Sequence, residues 1–328
     1  MAATAAVRLQ RRTVGIRRAL APIAEARGMA RSLLWAGTGI TLVFVLLAIF
    51  APILSPYGFD QYQSGGRRFA QLAHPSHAHL FGTTVQSTDV LSRIVWGAQT
   101  ELEVVGLALA FGLVVGVPLG LIAGYFGGPF DRGTVLFMDA MFAFPPLLLA
   151  IVIAFLLGGS VNSGVLVAAI AITITYIPQY FRVVRNHVIS VREEPYVEAA
   201  RALGAKPLTI LRRYVFFNVV QNVPVIATLN AADAVLTLTA LGFLGYGVQP
   251  TQGAEWGYDV SRAVSDAASG IWWTGLFPGI AIVLLVTGLT LLGEGLNETI
   301  NPVLRRRTIR QVDFAAPSMD AGAELLEA

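Results

Sequence analysis

Six stretches of this chain are each long and apolar enough to cross a lipid bilayer, and no other feature of the sequence restricts its fold as much. A crossing helix needs about 20 mostly apolar residues. Residues 33–54, 104–126, 160–181 and 274–293 carry no charge, 133–159 carries only Asp139, and 214–247 carries only Asp233. In hydrocarbon every backbone N–H and C=O must be bonded within the protein, so such stretches are expected to be helices. Composition agrees: 55% of the 328 residues are hydrophobic and 13% are charged, against roughly 45–50% and 25% in a soluble domain. So few charges could not cover a soluble globule, and the same numbers exclude a disordered chain, a collagen and a coiled coil. The fold class expected is an all-α membrane protein with six transmembrane helices.

The 214–247 stretch is too long for a single crossing and is expected to tilt or to extend beyond the bilayer. Only a turn over 157–164, rich in Gly with Asn and Ser, separates the third and fourth spans. Pro118, Pro145, Pro146 and Pro224 predict kinks or breaks inside spans, tolerated where neighbouring helices cover the freed backbone groups. The first apolar run exceeds the ~7–15 residues of a signal-peptide core and follows a basic tail, so it reads as an uncleaved anchor. With the N-terminus inside, segments 1–32, 127–132, 182–213 and 294–328 hold 19 of the 23 Lys and Arg, and the outer segments 55–103 and 248–273 hold 4. Positive charge stays on the cytoplasmic side, so both termini are expected there. Trp35 is expected near the inner face, and Trp272 and Trp273 near the outer.

The chain thus divides into a basic cytoplasmic tail (1–32), an anchor span with a long outer loop (33–103), a transmembrane domain (104–307) and a disordered cytoplasmic tail (308–328). The outer loop over 55–100 mostly lacks helical periodicity, whereas 248–273 has helical character around 258–268. There is no cysteine, which excludes disulfides, thiolate metal sites and a cysteine nucleophile. The one lysine, Lys206, precedes Pro207 and lacks the glycine pair of a phosphate-binding loop, so the chain is not expected to bind ATP that way. No catalytic spacing is recognisable, so the chain is not read as an enzyme and needs no cofactor or metal of its own. His74, His77 and His79 have a proline among them and no carboxylate close in sequence, so they read as solvated loop histidines rather than metal ligands.

Charges inside the membrane are candidates for function because burying them costs at least ~2.5–3.5 kcal/mol on insertion scales. Asp233 either lines a polar path or pairs within the bundle. Asp139 either bonds a neighbouring helix or joins that path. Asp139, Asp233 and Asn230 are the candidates for a translocation pathway, while Glu294 reads as an interfacial carboxylate. A lone carboxylate with no arginine in any span makes a poor proton relay, which weighs against a secondary transporter.

The segment 182–213 is the most informative. Pro195 suits the first turn of a helix whose positive end is stabilised by Glu193 and Glu194. Gly204 suits the left-handed residue that ends it, and Pro207 opens the next element. A two-turn helix is unstable alone in water and must dock on something. Its sequence Glu198–Gly204, EAARALG, resembles the EAA loop of binding-protein-dependent ABC importer permeases. HLFGT with DVLSR (79–83, 89–93), VGVPLGLIAGYFGG (115–128), MDAMFAFPPLLLA (138–150), ALGFLGYGVQP (240–250) and LLGEGLNETINPVLRRR (291–307) are similar to the oligopeptide/dipeptide/nickel group. Together they cover roughly 33–307, in order, and resemble the C-type (DppC/OppC) subunit with its extra first span.

The resemblance implies the type I (MetI-like) importer fold and half of a translocation pore for peptides. It implies a homologous B-type permease as pore partner, two P-loop ATPase subunits that bind ATP and Mg, and an extracytoplasmic substrate-binding protein. It implies a multi-pass protein of a prokaryotic inner membrane, with a lipid bilayer and a peptide as its other contacts and no nucleic acid. The EAA loop, 190–212, would couple to the ATPase through Pro195, Tyr196, Glu198, Ala199, Ala200, Arg201 and Gly204, with Ala199, Ala200 and Ala202 as a small face that permits close approach. The competing reading is a self-contained channel or secondary transporter.

Overall fold

A computed structural model describes residues 29–158, 163–221 and 223–300. Most of the 1–32 tail, all of the 308–328 tail, the NPVLRRR end of the last motif and the middle of the 157–164 turn lie outside those residues. The first helix, α1 (Met29–Ile49), breaks at Phe50 and resumes as α2 (Ala51–Leu54). A small antiparallel hairpin follows, β1 (Gln63–Ser64) and β2 (Arg67–Arg68). The second span is the C-terminal part of α3 (Val90–Phe126), whose 37 residues make a rod of about 55 Å. The hydrocarbon core is only about 30 Å thick, so one end of α3 stands clear of it. Residues 90–103, expected to belong to an irregular outer loop, are therefore helical. Asp89 starts α3 as N-cap, accepting the Ser92 N–H at 2.8 Å.

The third span is not one helix. It is a pair, α4 (Gly128–Phe142) and α5 (Pro146–Gly158), bent by 93° at residues 143–145. Neither half reaches ~20 residues, so neither is long enough to cross alone. Pro145 and Pro146 remove two successive backbone donors at the bend, as proline does in any helix interior. Five single helices are long and apolar enough to cross a membrane, and the count is six when the bent pair is taken as one span. The helix of the fourth span, α6 (Gly164–Arg192), runs eleven residues past the expected limit at 181, so Arg182, Arg185 and Arg192 belong to it and not to a loop.

The 214–247 stretch also divides. After α7 (Pro195–Ala202) and α8 (Pro207–Ile210) comes a π-helical turn, Leu211–Val215, then α9 (Phe216–Val220), and only then the span α10 (Val223–Phe243). Pro224 sits in the first turn of α10, where its missing N–H removes no helical bond. Pro118 lies inside the continuous α3. Beyond α10, α11 (Trp256–Ala268) forms where helical character was expected, and α12 (Trp273–Ile300) is the last span.

The spans pack through small residues. Gly112, Gly116, Gly120 and Gly124 form a stripe along α3, one per turn. A Cβ on Gly116 would come within 2.7 Å of Tyr180 Cβ, one on Gly120 within 2.8 Å of the Phe181 carbonyl, and one on Gly124 within 2.8 Å of the Arg185 carbonyl. Lipid provides no hydrophobic drive between helices, so close backbone approach through small residues supplies the packing. Alanines fill the rest of the core: Ala98, Ala108, Ala168, Ala169 and Ala234 are wholly buried. The 55–89 loop and α11 meet at one end of the bundle, where Trp273 donates to the Thr83 carbonyl at 3.2 Å. Trp273 is thus buried rather than an interfacial anchor, while Trp272 is exposed. Elements α7–α9 occupy the end marked by Gly124 and Val188.

Candidate coupling loop and translocation path

Helix α7 ends as its sequence requires. Gly204 adopts φ +78°, its N–H bonds the Arg201 carbonyl at 3.0 Å, and the Ala205 N–H bonds the Ala200 carbonyl at 3.0 Å. This paired reversal needs a left-handed residue, which glycine supplies without a Cβ penalty. Val197 and Ala200 face inward, in a cluster with Val188, Ile210, Leu211 and Val215. Glu198, Ala199, Arg201 and Ala202 are exposed. The three alanines therefore do not share a face: Ala200 seats the helix on its own bundle, while Ala199 and Ala202 point outward. The reason is angular, since Val197 and Ala200, three residues apart, take the inner face at the 3.6-residue period. Tyr196 is partly exposed, and its hydroxyl accepts from Asn218 Nδ2 at 3.1 Å.

Leu203 escaped the sequence reading. It caps α7 and is 88% exposed, the most exposed large hydrophobic side chain among the described residues. A position just before the helix-ending glycine is the signal that could have found it.

The three pathway candidates separate. Asp233 lies midway along α10 on its exposed face, and Tyr176 Oη donates to its Oδ2 at 2.6 Å. It lines a small cavity with Tyr176, Gln179, Thr175 and the residues of the α4–α5 bend. Asn230 is buried against Tyr180 and does not line this cavity. Asp139 is exposed and paired with Arg182 at 2.7 Å. The guanidinium of Arg182 also lies 4.0 Å from the centroid of the Phe142 ring. Asp131 takes a bond from Arg185 Nη2 at 2.7 Å. So Asp139 is not a lone carboxylate: the extension of α6 brings arginines to the acids of α4. Glu294 is exposed, as an interfacial group would be.

A buried polar cluster at the other end was missed altogether. Arg93, at the start of α3, donates through Nε to both carboxylate oxygens of Asp259 on α11, at 2.8 and 2.9 Å, and through Nη1 to the Phe59 carbonyl at 3.1 Å. Glu255 caps α11, accepting the Gly257 and Tyr258 N–H groups at 2.8 Å, and faces the wholly buried Glu101 of α3. Burial pushes the Glu255 carboxyl up to about 8, against the pull of its two N–H donors. Burial also raises Asp259, with Arg93 opposing. His79 is buried too, its Nδ1 2.9 Å from Asp89 Oδ1, which overturns its reading as a solvated loop histidine. The pair that joins α3 to α11, Arg93 and Asp259, spans 166 residues, so no local spacing announces it.

Several bent and interrupted spans, a helix projecting at one end and a carboxylate-lined cavity within define a multi-pass membrane transport subunit. Known proteins give its family. A model for binding-protein-dependent transport system inner membrane components matches residues 116–306, and one for the N-terminal transmembrane domain of oligopeptide transport permease C matches 29–75. The chain belongs to the binding-protein-dependent transport permeases. It is 39% identical to a dipeptide transport system permease protein of Alkalihalophilus pseudofirmus, covering 82% of this chain and 85% of that one. It is 33% identical to a glutathione transport system permease protein of Pectobacterium atrosepticum, covering 80% and 85%. A solved structure of the MetNI methionine ABC transporter shares the fold at TM-score 0.51 and 21% identity, over 64% of this chain and 96% of that one. Family membership decides against a self-contained channel or secondary transporter.

Proposed function

We propose that this chain is one of two membrane subunits of an ATP-driven peptide importer. It forms half of the translocation pore in a prokaryotic inner membrane, with a homologous permease as the other half and both termini in the cytoplasm. Two P-loop ATPase subunits bind ATP and Mg, and an extracytoplasmic binding protein delivers the peptide. Peptide is the substrate class of relatives that align over four-fifths of the chain. The observation that carries the coupling role is α7: anchored by Val197 and Ala200, closed by Gly204, and presenting Leu203 outward. A rigid helix seated on the bundle can transmit a push from an ATPase to the spans, whereas a flexible loop would absorb it. The π-helical turn and α9 that follow lead that push into α10, and π-helical irregularities often mark working segments.

Leu203→Glu tests this. The side chain is exposed in the chain itself, so the variant is expected to insert and fold normally. Placing a charge in an apolar groove is expected to weaken ATPase association about tenfold or more and to abolish substrate-stimulated ATP hydrolysis. Normal association and hydrolysis in Leu203→Glu would remove the coupling role from α7.

A further inference from the structure

We propose that the cavity beside Asp233 receives the N-terminal ammonium group of the peptide in transit, an inference that rests on the peptide-importer reading above. A peptide's α-amino group carries a positive charge at neutral pH, with an ordinary pKa near ~7.7–8.0. It is the one cation that peptides of every sequence share, so a path for varied peptides can read it without reading side chains.

Three features meet at the cavity. The first is a carboxylate in mid-span with no basic partner: among the described residues Asp233 forms no ion pair, and only its Oδ2 is engaged, by Tyr176 Oη. Oδ1 remains for an incoming donor. The second is the α4–α5 bend. Pro146 has no N–H, so the Phe142 carbonyl lacks its i+4 donor, and Pro145 does the same to Met141, whose carbonyl is met by the Phe144 N–H at 3.3 Å. Both Met141 and Phe142 line the cavity with Asp233. They lie at the C-terminal end of α4, where the helix dipole is negative. Discontinuous spans use such carbonyl-bearing ends to hold cations in membrane transporters. The third is size. The cavity holds about 40 Å³, room for a few water-sized groups such as an ammonium head and its hydration.

The walls sharpen the attraction. Phe142, Phe144, Leu149 and Pro178 are apolar, and a charge pair beside apolar walls is screened less than one in open water. Arg182, stacked near Phe142, has its charge matched by Asp139. Tyr176 orients the Asp233 carboxylate and is a positioning residue.

The complete importer, reconstituted in liposomes with its ATPase subunits and binding protein, provides the test. Uptake of trialanine and of N-acetyl-trialanine is measured with each peptide saturating the binding protein, alongside ATP hydrolysis. Asp233→Asn is expected to slow trialanine uptake roughly tenfold or more, the loss of one charge-assisted contact. N-acetyl-trialanine, which offers no ammonium, should lose far less uptake. Asp233→Glu should retain most trialanine uptake, and Tyr176→Phe should reduce it in part. Trialanine uptake by Asp233→Asn at the wild-type rate would overturn the proposal. So would an equal loss for both peptides, which points to an inorganic cation or to the fold. A wild-type assembly that takes up neither peptide would instead refute the peptide-importer reading.

Discussion

Breaking the Arg93–Asp259 pair by halves and then whole separates a brace from an ornament. The two side chains are 3% and 8% exposed, and the Arg93 Nε–H reaches both oxygens of Asp259. Asp259→Leu leaves a guanidinium buried without its carboxylate, and Arg93→Met leaves a carboxylate without its guanidinium. Each single change is expected to cost ~3–5 kcal/mol, because an uncompensated buried charge remains. Replacing both at once removes the desolvation penalty with the attraction, so the double variant is expected within about 1–2 kcal/mol of wild type. At ~2–4 °C per kcal/mol, each single variant should melt roughly 6–20 °C lower. Trp256 and Trp273 are buried at this end of the bundle, so tryptophan fluorescence during heating in nanodiscs reports on the packing around this pair. If either single variant melts within 2 °C of wild type, or if the double variant is less stable than both singles, α11 is not held by this pair and the reasoning fails.

The pH dependence at the same end has a definite sign. Folding raises the Glu255 carboxyl from 4.5 to about 8, so its contribution is full below pH 4.5 and is lost as pH rises through about 8. Burial and the facing Glu255 raise the Glu101 carboxyl as well, so the melting temperature should fall between pH 5 and pH 9, and Glu255→Gln, neutral and still an acceptor, should reduce that fall while Glu101 retains its share. Gly120→Leu should force α3 and α6 apart against the Phe181 carbonyl and Val184 at ~1–3 kcal/mol. Gly106→Leu, with nothing within 4 Å of its Cβ position, should be neutral, and resistance to trypsin in detergent ranks the two. The natural absence of cysteine allows a sidedness test without background. In intact cells a membrane-impermeant maleimide should label Ser64→Cys and spare Arg132→Cys, and in inverted vesicles the order should reverse.

Much of the architecture is visible in the sequence because the bilayer is an undemanding reader. It requires runs of about 20 apolar residues and satisfied backbone groups, and both are local properties. The same holds for α7: proline at its start and glycine at its end dictate the helix and its reversal whatever surrounds them. The EAA stretch carries the family for the same reason. The helix end at 192 was not legible because charge in a sequence says where hydrocarbon ends, not where a helix ends. Helix α6 continues through Arg182, Arg185 and Arg192 by bonding Asp139, Asp131 and the Gly124 carbonyl.

The residues themselves determined where the long apolar runs lie, the class of protein and the short helix with its glycine stop, since each depends on periodicity, length or a single backbone conformation. Only the tertiary structure decided which polar groups work together. Arg93 meets Asp259 across 166 residues, Tyr176 meets Asp233 across 57, and the third span folds at two prolines into the wall of the same cavity. A sequence records that a carboxylate is present and how costly its burial would be. Which donor meets that cost depends on how helices turn and stack, and glycines such as Gly116 and Gly120 set that stacking by letting backbones touch.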